Sequence, residues 1–240
     1  MLDQLNIEEV LFLDIETVPS LPRYEDLSPL WQKLWDDKAK NLVSEGITSA
    51  EIYNRAGIYA EFGRIIVIAT GYLYQKKGEW HYRVKSFYNS DEKILLEEFA
   101  SALDRFEKAG KKRLCAHNGQ EFDFPWISRR MLIHGLELPR VLNIAGAKPW
   151  EVKDLLMDTL QLWKFGDYKH YTSLALLCAL FGIPTPKDDI DGSQVAQVYY
   201  TENDLDRIVR YCEKDTLAVA NLLLKYKGMD IVPAGNMESV

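Results

Sequence analysis

The fold of the chain is decided by one stretch, Val10-Leu11-Phe12-Leu13-Asp14-Ile15-Glu16-Thr17. Such a run of apolar residues predicts a strand that is buried on both faces of a sheet. Because side chains alternate along a strand, Asp14 and Glu16 lie on the same face. The residues of that face are Val10, Phe12, Asp14 and Glu16, and those of the opposite face are Leu11, Leu13 and Ile15.

The two carboxylates of this stretch suit a site for divalent cations. Asp14 and Glu16 are separated by roughly 6.6 Å along the strand. This spacing fits a pair of cations about 3.5–4 Å apart that share the inner carboxylate. Two buried like charges are also costly unless cations or protons neutralise them. A strand that merely ends at its solvated edge explains the same residues, and this stretch alone does not decide between the two.

Length and composition are those of an ordinary globular chain. Its 240 residues, 47% hydrophobic and 27% charged, suffice for one large domain or two small ones. No apolar run approaches the ~18 residues that span a membrane, and the first residues do not resemble a signal peptide, so we expect a cytoplasmic protein without a membrane partner. The cysteines, Cys115, Cys178 and Cys212, form no Cys-x-x-Cys pair and are expected to be buried free thiols.

The net charge of −7, from 36 acidic and 29 basic residues, argues against a broad basic surface that binds nucleic acid through counterion release. It does not exclude an enzyme that acts on nucleic acid, because carboxylates that hold metal ions add to the negative count. Such an enzyme would bind its substrate through local contacts.

The rest of the sequence predicts an α/β fold with a mixed central sheet flanked by helices. Two strands joined at Lys76-Lys77-Gly78-Glu79 form a hairpin, and helices and strands alternate after it. Residues 18–63 form a long connection with short helices of its own, which is typical of a functional flap. We predict one domain over residues 1–228, with an inserted helical flap at 18–63 and a flexible tail at 229–240.

Two further segments place carboxylates where a ligand can reach them. Tyr211 and Asp215 are four residues apart in a long amphipathic helix and therefore share one face. Asp123 follows Asn118 and Phe122 at the junction of a short strand and a helix, where α/β sheets bind ligands. A surface Asp beside a partly buried Tyr, and an Asp that only caps its helix, are the structural alternatives at these places.

Together these segments resemble the three motifs of the DEDD 3′–5′ exonucleases. Asp14-Ile15-Glu16-Thr17 looks like the first motif, Asn118-x-x-x-Phe122-Asp123 like the second, and Tyr211-x-x-x-Asp215 like the third in its tyrosine (DEDDy) form. The histidine form would need His at position 210, which is Arg210. The closest likeness is to the proofreading exonuclease domain of family B DNA polymerases, here as a free-standing protein, and it covers residues 9–225.

The resemblance implies a ribonuclease-H-like (exonuclease) fold and phosphodiester hydrolysis with two divalent cations, Mg²⁺ or Mn²⁺. Asp14 is then expected to bridge both cations. Glu16 and Asp215 are expected to hold the cation that carries the attacking water, and Asp123 is expected to hold the other. Tyr211 is expected to orient that water, since a tyrosine with a pKa of about 10 is a poor general base at neutral pH.

The implied substrate is the 3′ end of a nucleic acid, mostly single-stranded DNA, from which 5′ mononucleotides are released. The candidates for substrate contact in the first two motifs are Thr17, Val18, Asn118 and Phe122. Further candidates for phosphates and bases are Arg129, Arg130, Lys164, Lys169, Tyr168 and Tyr171, for which ordinary packing is the alternative. An exoribonuclease and a non-catalytic binding module on the same fold are the alternative functions, because the motifs do not read the 2′-hydroxyl.

Overall fold

A computed structural model describes residues 2–43, 46–110, 112–167, 171–184 and 189–240. Within these ranges the strands are β1 (Val10–Pro19), β2 (Gly63–Lys76), β3 (Glu79–Phe87), β4 (Arg113–Ala116), β5 (Leu156–Asp158) and β6 (Met237–Ser239). The α-helices are α1 (Pro29–Ala39), α2 (Glu92–Lys108), α3 (Asp123–Ile133), α4 (Pro149–Val152), α5 (Thr159–Lys164), α6 (Leu174–Phe181), α7 (Val195–Gln197) and α8 (Leu205–Tyr226). Short 3₁₀ segments lie at Leu2–Gln4, Ile7–Glu9, Tyr24–Asp26, Tyr53–Ile58 and Arg140–Leu142, and a π-helical segment lies at Val198–Glu202.

The six strands form one mixed sheet in the order β5-β4-β1-β2-β3-β6. β2 pairs in antiparallel fashion with β1 and with its hairpin partner β3, whereas β4, β5 and β6 each join the sheet in parallel. The predicted mixed sheet flanked by helices is therefore confirmed. None of the helices in the described ranges is long and apolar enough to cross a membrane.

The alternation predicted for the first stretch places β1 between two separate hydrophobic clusters. Val10 and Phe12 pack on the α8 side of the sheet, where Cys212 is also buried. Leu11, Leu13 and Ile15 pack on the opposite side with residues of α2 and α3. Because both faces of β1 are covered, the strand is a rigid support for Asp14 and Glu16.

A β-bulge interrupts the pairing of β1 with β2 beside the first motif. Glu16 is opposite Val67, but Thr17 is opposite Ile65, so Ile66 is the additional residue on β2. Bulges bend a strand and change the direction of its side chains, and they are frequent next to functional sites. The end of β1 thereby turns toward the flap.

The flap at 18–63 packs around a small cluster of its own. Trp35 is fully buried there, and its ring meets those of Tyr53 and Phe62 edge to face. Trp31 keeps 44% of its surface exposed although its ring also contacts Phe62. The described part of the flap contacts β1 through the 3₁₀ segment at Tyr53–Ile58.

The segment 229–240, for which the sequence predicts a flexible tail, is attached to the sheet. Val232 is 6% exposed and its amide donates to Asn221 Oδ1 over 2.9 Å. β6 pairs with β3, and Ser239 Oγ donates to Glu213 Oε1 over 2.8 Å. Composition alone suggested a loose end because Pro233, Gly235 and Ser239 are common in loops, but β3 offers a sheet edge to which this end pairs.

Candidate active site

Two elements on one face of the sheet supply most of the predicted site. Asp14 and Glu16 are on the face of β1 that α8 covers, and α8 carries Tyr211 and Asp215. The apolar pattern predicts a start near Thr201 or Asn203, but the helix begins at Leu205, because Asn203 has a left-handed backbone (φ 54°) and Asp204 caps the first turn through the amide of Arg207. The cap fixes the start of the helix, whose second and third turns carry Tyr211, Cys212 and Asp215.

The third element is the start of α3, which brings Asp123 to the same place. Asp123 is the first residue of the helix and not its cap, and its Oδ1 accepts a hydrogen bond from the amide of Ile15 over 3.2 Å. Gly119 permits the tight loop before it, since a Cβ there would lie 2.5 Å from that of Ala116. Of the two sequence alternatives for Asp123, helix capping is therefore excluded.

Asp158 anchors the second motif, a role that the sequence analysis missed. Its carboxylate accepts hydrogen bonds from the amides of Asn118 and Gln120 and also from that of Leu160 at the start of α5. The buried side chain thus fixes the loop before Asp123 and caps a helix. The sequence indicates this capping role only through the position of Asp158 at the end of a short strand, directly before a helix.

The electrostatics of the site are those of several carboxylates forced together. Burial and the charges of Asp215, Glu16 and Asp123 raise the pKa of Asp14 well above its ordinary value. Burial and the charges of Asp158 and Asp215 raise the pKa of Asp123 to about 7, although hydrogen bonds from its own amide and that of Ile15 oppose the shift. Each negative charge therefore disfavours ionisation of the neighbouring carboxylates. Protons or cations stabilise the centre because they reduce this repulsion.

Tyr211 and Cys212 lie against these carboxylates. Burial, and next the charge of Asp215, raise the pKa of Tyr211, so its hydroxyl keeps its proton at neutral pH. Cys212 Sγ lies 3.2 Å from Asp14 Oδ2 and donates to it, and burial raises the pKa of this thiol well above its ordinary value. The sequence analysis predicted only a buried free thiol at Cys212 and missed its contact with Asp14.

The residues present fit divalent cations. One ligand atom each from Asp14, Glu16 and Cys212 lies within 4.8 Å of the others. Glu16, Asp123 and Asp215 are buried, at 8%, 3% and 8% exposure. Carboxylate oxygens are the ligands that Mg²⁺ and Mn²⁺ prefer, and bound cations would relieve the mutual repulsion that raises the carboxylate pKa values.

A hollow of about 380 Å³ opens beside Glu16. Two of the residues predicted to contact substrate, Thr17 and Phe122, line it. Val18 does not, because it is on the α8 side of β1, where α7 packs, and is fully buried there. This corrects the prediction for Val18, whose side chain has no surface to offer. Asn118, with φ of 64°, has its Oδ1 buried without a hydrogen-bond partner.

The additional basic and aromatic candidates separate into different environments. Arg130 is not available for a phosphate, because it forms an ion pair with the buried Glu92 at 2.6 Å and donates to the Ala60 carbonyl oxygen. Tyr171 is 62% exposed, and its ring contacts that of His117 edge to face. Tyr168 and Lys169 lie outside the described residues. Basic side chains on a helix often serve structural ion pairs, as Arg130 does here.

A protein-family model matches most of this chain. The model is described as a predicted 3′–5′ exonuclease related to the exonuclease domain of PolB, and it matches residues 58–232. The chain belongs to this exonuclease family. The match includes Asp123, Tyr211 and Asp215, whereas Asp14 and Glu16 precede it.

A solved structure supports the architecture of this PolB-related exonuclease. The family B DNA polymerase from the hyperthermophilic archaeon Pyrobaculum calidifontis superposes with a TM-score of 0.55 at 14% sequence identity. The likeness covers 90% of this chain but 24% of the polymerase chain, so this chain spans about a quarter of that protein's length. At this identity the likeness shows the fold, and it fits the predicted ribonuclease-H-like architecture.

Proposed function

We propose that the protein is a metal-dependent 3′–5′ exonuclease that hydrolyses phosphodiester bonds at the 3′ end of single-stranded DNA and releases 5′ mononucleotides. Asp14, Glu16, Asp123 and Asp215 would hold two divalent cations, Mg²⁺ or Mn²⁺. The observation that carries the proposal is the convergence of buried carboxylates from β1, α3 and α8, which raise the pKa values of Asp14 and Asp123. A binding module has no physical need for such a costly arrangement.

Tyr211 and Cys212 have different roles around the scissile phosphate. When bound, divalent cations lower the pKa of a water molecule and stabilise charge on the leaving 3′ oxygen. The protonated hydroxyl of Tyr211 orients the attacking water through a hydrogen bond, since its raised pKa makes it a poor base. Cys212 donates to one oxygen of Asp14 and thereby fixes the orientation of that carboxylate.

The hollow beside Glu16 would receive the terminal nucleotide. Its wall combines Thr17 and Phe122 with the flap residues Asn54 and Arg55. Phe122 is half-buried and offers a ring to a base, and Arg55 is exposed and offers a charge to a phosphate. These local contacts suit a protein whose net charge is −7.

The decisive experiment compares single-stranded DNA and RNA of equal sequence, each labelled at the 5′ end. With Mg²⁺ or Mn²⁺ the DNA should shorten one nucleotide at a time, and chelator or Asp14→Asn should stop the reaction. Release of the label as a mononucleotide at the outset would contradict the 3′–5′ polarity. Faster degradation of RNA would favour the exoribonuclease, and metal-independent binding without cleavage would favour a binding module.

A further inference from the structure

One face of α3 carries side chains that hold other segments along the whole helix. Phe122, Trp126, Arg130 and His134 recur every fourth residue, from the residue before α3 to the residue after it, and therefore share this face. Phe122 lines the hollow beside Glu16. The other three bond to the flap or to the start of α2, so α3 connects the acidic centre with segments farther away.

Two side chains of this face hold the end of the flap. Trp126 Nε1 donates to the Ile58 carbonyl oxygen over 3.1 Å, and Arg130 Nη1 donates to the Ala60 carbonyl oxygen over 2.9 Å. The ring of Trp126 is buried, and a Cβ on residue 63 would lie 2.8 Å from it, so Gly63 permits the close approach. The flap is therefore attached to α3 just before its chain enters β2.

A buried carboxylate joins the same face of α3 to the sheet. Glu92, the first residue of α2, accepts at Oε1 from Arg130 Nε over 3.0 Å and from the Ile65 amide over 2.7 Å. Its Oε2 accepts from Arg130 Nη2 over 2.6 Å and lies 2.9 Å from His134 Nε2. A bidentate pair of this kind fixes the guanidinium in both position and orientation. Glu92, Arg130 and His134 are here named the Glu92 cluster.

The Glu92 cluster acts on β2 beside the bulge that follows the first motif. Ile65 is the β2 residue opposite Thr17, and it directly precedes Ile66, the additional residue of the bulge. Bulges disrupt the ladder of hydrogen bonds locally. By accepting from the Ile65 amide, Glu92 holds β2 at the place where its pairing with β1 is irregular.

The opposite end of α3 belongs to the acidic centre. Asp123 is its first residue and accepts a hydrogen bond from the amide of Ile15 on β1. Arg130 lies seven residues later, which is about 10 Å along the helix axis. Rigid secondary-structure elements carry energetic coupling over such distances. A displacement of α3 at Arg130 would therefore move Asp123 relative to Asp14 and Glu16.

We infer that Glu92 and Arg130 are positioning residues, which set the place of Asp123 in the acidic centre through α3 and the place of the flap through Ala60 and Ile65. His134 supports the pair from its more exposed side. The effect on catalysis rests on the proposed function, whereas the placement of α3 can be measured without activity. Catalytic groups have to be held within about 0.5 Å by supporting residues of this kind.

Positioning and stabilisation can be separated with a paired variant, Glu92→Leu combined with Arg130→Met. Replacing both members of a buried ion pair with apolar residues of similar volume often leaves stability unchanged, whereas replacing one member leaves an uncompensated charge. The paired variant is therefore expected to fold. It lacks the groups that bond to the Ala60 carbonyl oxygen and to the Ile65 amide, so α3 and the flap lose their fixed relation.

Hydrogen exchange of the metal-free protein tests the placement of α3 directly. In the paired variant the amide of Ile15, which bonds to Asp123, should exchange about tenfold faster or more, because the opening is local. The amide of Leu114, which bonds to the Leu155 carbonyl oxygen, should keep its wild-type rate. An unchanged rate at Ile15 would overturn the inference. Equal acceleration of both amides would also overturn it, since the Glu92 cluster would then only stabilise the fold.

Kinetics on single-stranded DNA test the consequence for the reaction, at a temperature where melting curves show every variant folded. The paired variant should lower kcat by about ten- to a hundredfold, as expected for a misplaced group, and should need more Mn²⁺ for half-maximal activity. Ser128→Ala, on the same helix, removes instead a bond to the Leu142 carbonyl oxygen and should keep both wild-type values.

A folded paired variant with the wild-type kcat and the wild-type Mn²⁺ requirement would contradict a positioning role in the reaction. A wild type that degrades neither DNA nor RNA would instead contradict the proposed function. In that case the exchange rates of Ile15 and Leu114 still decide whether the Glu92 cluster positions Asp123.

Discussion

Asp14 is the residue around which the acidic centre is arranged. Its carboxylate is on a strand buried on both faces and accepts a hydrogen bond from Cys212. The charges of three other carboxylates raise its pKa. The convergence of Asp14, Glu16, Asp123 and Asp215 was predicted from the resemblance of three segments to the exonuclease motifs, because the position of each residue alone left a structural alternative open. Their catalytic and metal-binding roles stay predictions.

The contributions of Asp158 and Cys212 were hidden from the sequence because they depend on tertiary packing. Asp158 bonds to amides some 40 residues earlier in the chain, at Asn118 and Gln120. Cys212 faces Asp14 across the interface of α8 with β1. Local patterns report which face of an element a residue occupies, but not which distant group it meets. The burial of Val18 was missed for the same reason.

Two substitutions on α8 separate metal binding from water orientation. Asp215→Ala removes a carboxylate from the centre and should abolish nearly all activity. Tyr211→Phe keeps the buried ring and removes only the hydroxyl, so we expect a loss of about ten- to a hundredfold, at or below the ~10²–10⁴ typical of a positioned proton-transfer group. The measurement is kcat on single-stranded DNA, with melting curves for both variants.

Tyr199→Phe is a matched control, because Tyr199 is half-buried in the segment before α8 and is not among the predicted site residues. It should retain the wild-type kcat. If Tyr211→Phe also retains it, the tyrosine of the third motif has no part in the reaction. A folded, metal-binding Tyr211→Phe as inactive as Asp215→Ala would show that the hydroxyl does more than orient water.

At the scale of elements, strands and helices with strong local signals were predicted well. The β2–β3 hairpin turns at Lys77 and Gly78, both with positive φ, as a two-residue turn between twisted strands requires. The start of α8 was placed a few residues too early, because the periodic pattern continues through the π-helical segment that ends before Asn203. The C-terminal strand has no local signal of its own, since its pairing depends on β3.

The C-terminal segment makes a measurable contribution to stability. A chain that ends at Gly228 loses the buried Val232 and its bond to Asn221. Burial of a valine is worth about 1.5–3 kcal/mol. At ~2–4 °C per kcal/mol for a protein of this size, the melting temperature should fall by roughly 3–12 °C.

A chain that ends at Gly235 is the matched comparison, because it keeps Val232 and loses β6 together with the hydrogen bonds of Asn236 to β3. It should melt between the wild type and the shorter chain, since the hydroxyl of Ser239 no longer bonds to Glu213. Calorimetry or circular dichroism measures all three. Identical melting temperatures would mean that the segment is as loose as its composition suggested.

At the scale of the whole molecule, the architecture is consistent with the proposed action of an acidic protein on a polyanion. The sheet brings β1 and α8 together with the start of α3, so that the negative charge of the centre is concentrated and buried. The flap adds the exposed Arg55 and the half-buried ring of Tyr24 around the approach to it. Two divalent cations bound at the centre would neutralise its four carboxylates, and the substrate would be held by a few contacts near its end.

Because the pKa values of Asp14 and Asp123 are raised, the stability of the protein should depend on pH and on bound metal. Because the pKa of Asp123 is about 7 in the folded protein and near 3.8 when unperturbed, the folded state holds a proton that the unfolded state releases. The stability of the metal-free protein should therefore fall as pH rises from about 4 to about 7, and the loss is complete above that range. Asp14, whose pKa is also raised, acts in the same direction.

Divalent cations bind the deprotonated carboxylates, so their stabilising effect should grow with pH over the same range. At pH 8 and a hundred times the dissociation constant, Mg²⁺ or Mn²⁺ should stabilise the protein by about 2.7 kcal/mol. This corresponds to a rise in melting temperature of roughly 5–10 °C for a protein of this size. At pH 5.5 the rise should be much smaller.

Asp14→Asn should abolish this rise in melting temperature at both pH values, whereas the exposed Asp154→Asn should not. A cation effect that is equal in the wild type and Asp14→Asn would show that these carboxylates do not form the metal site.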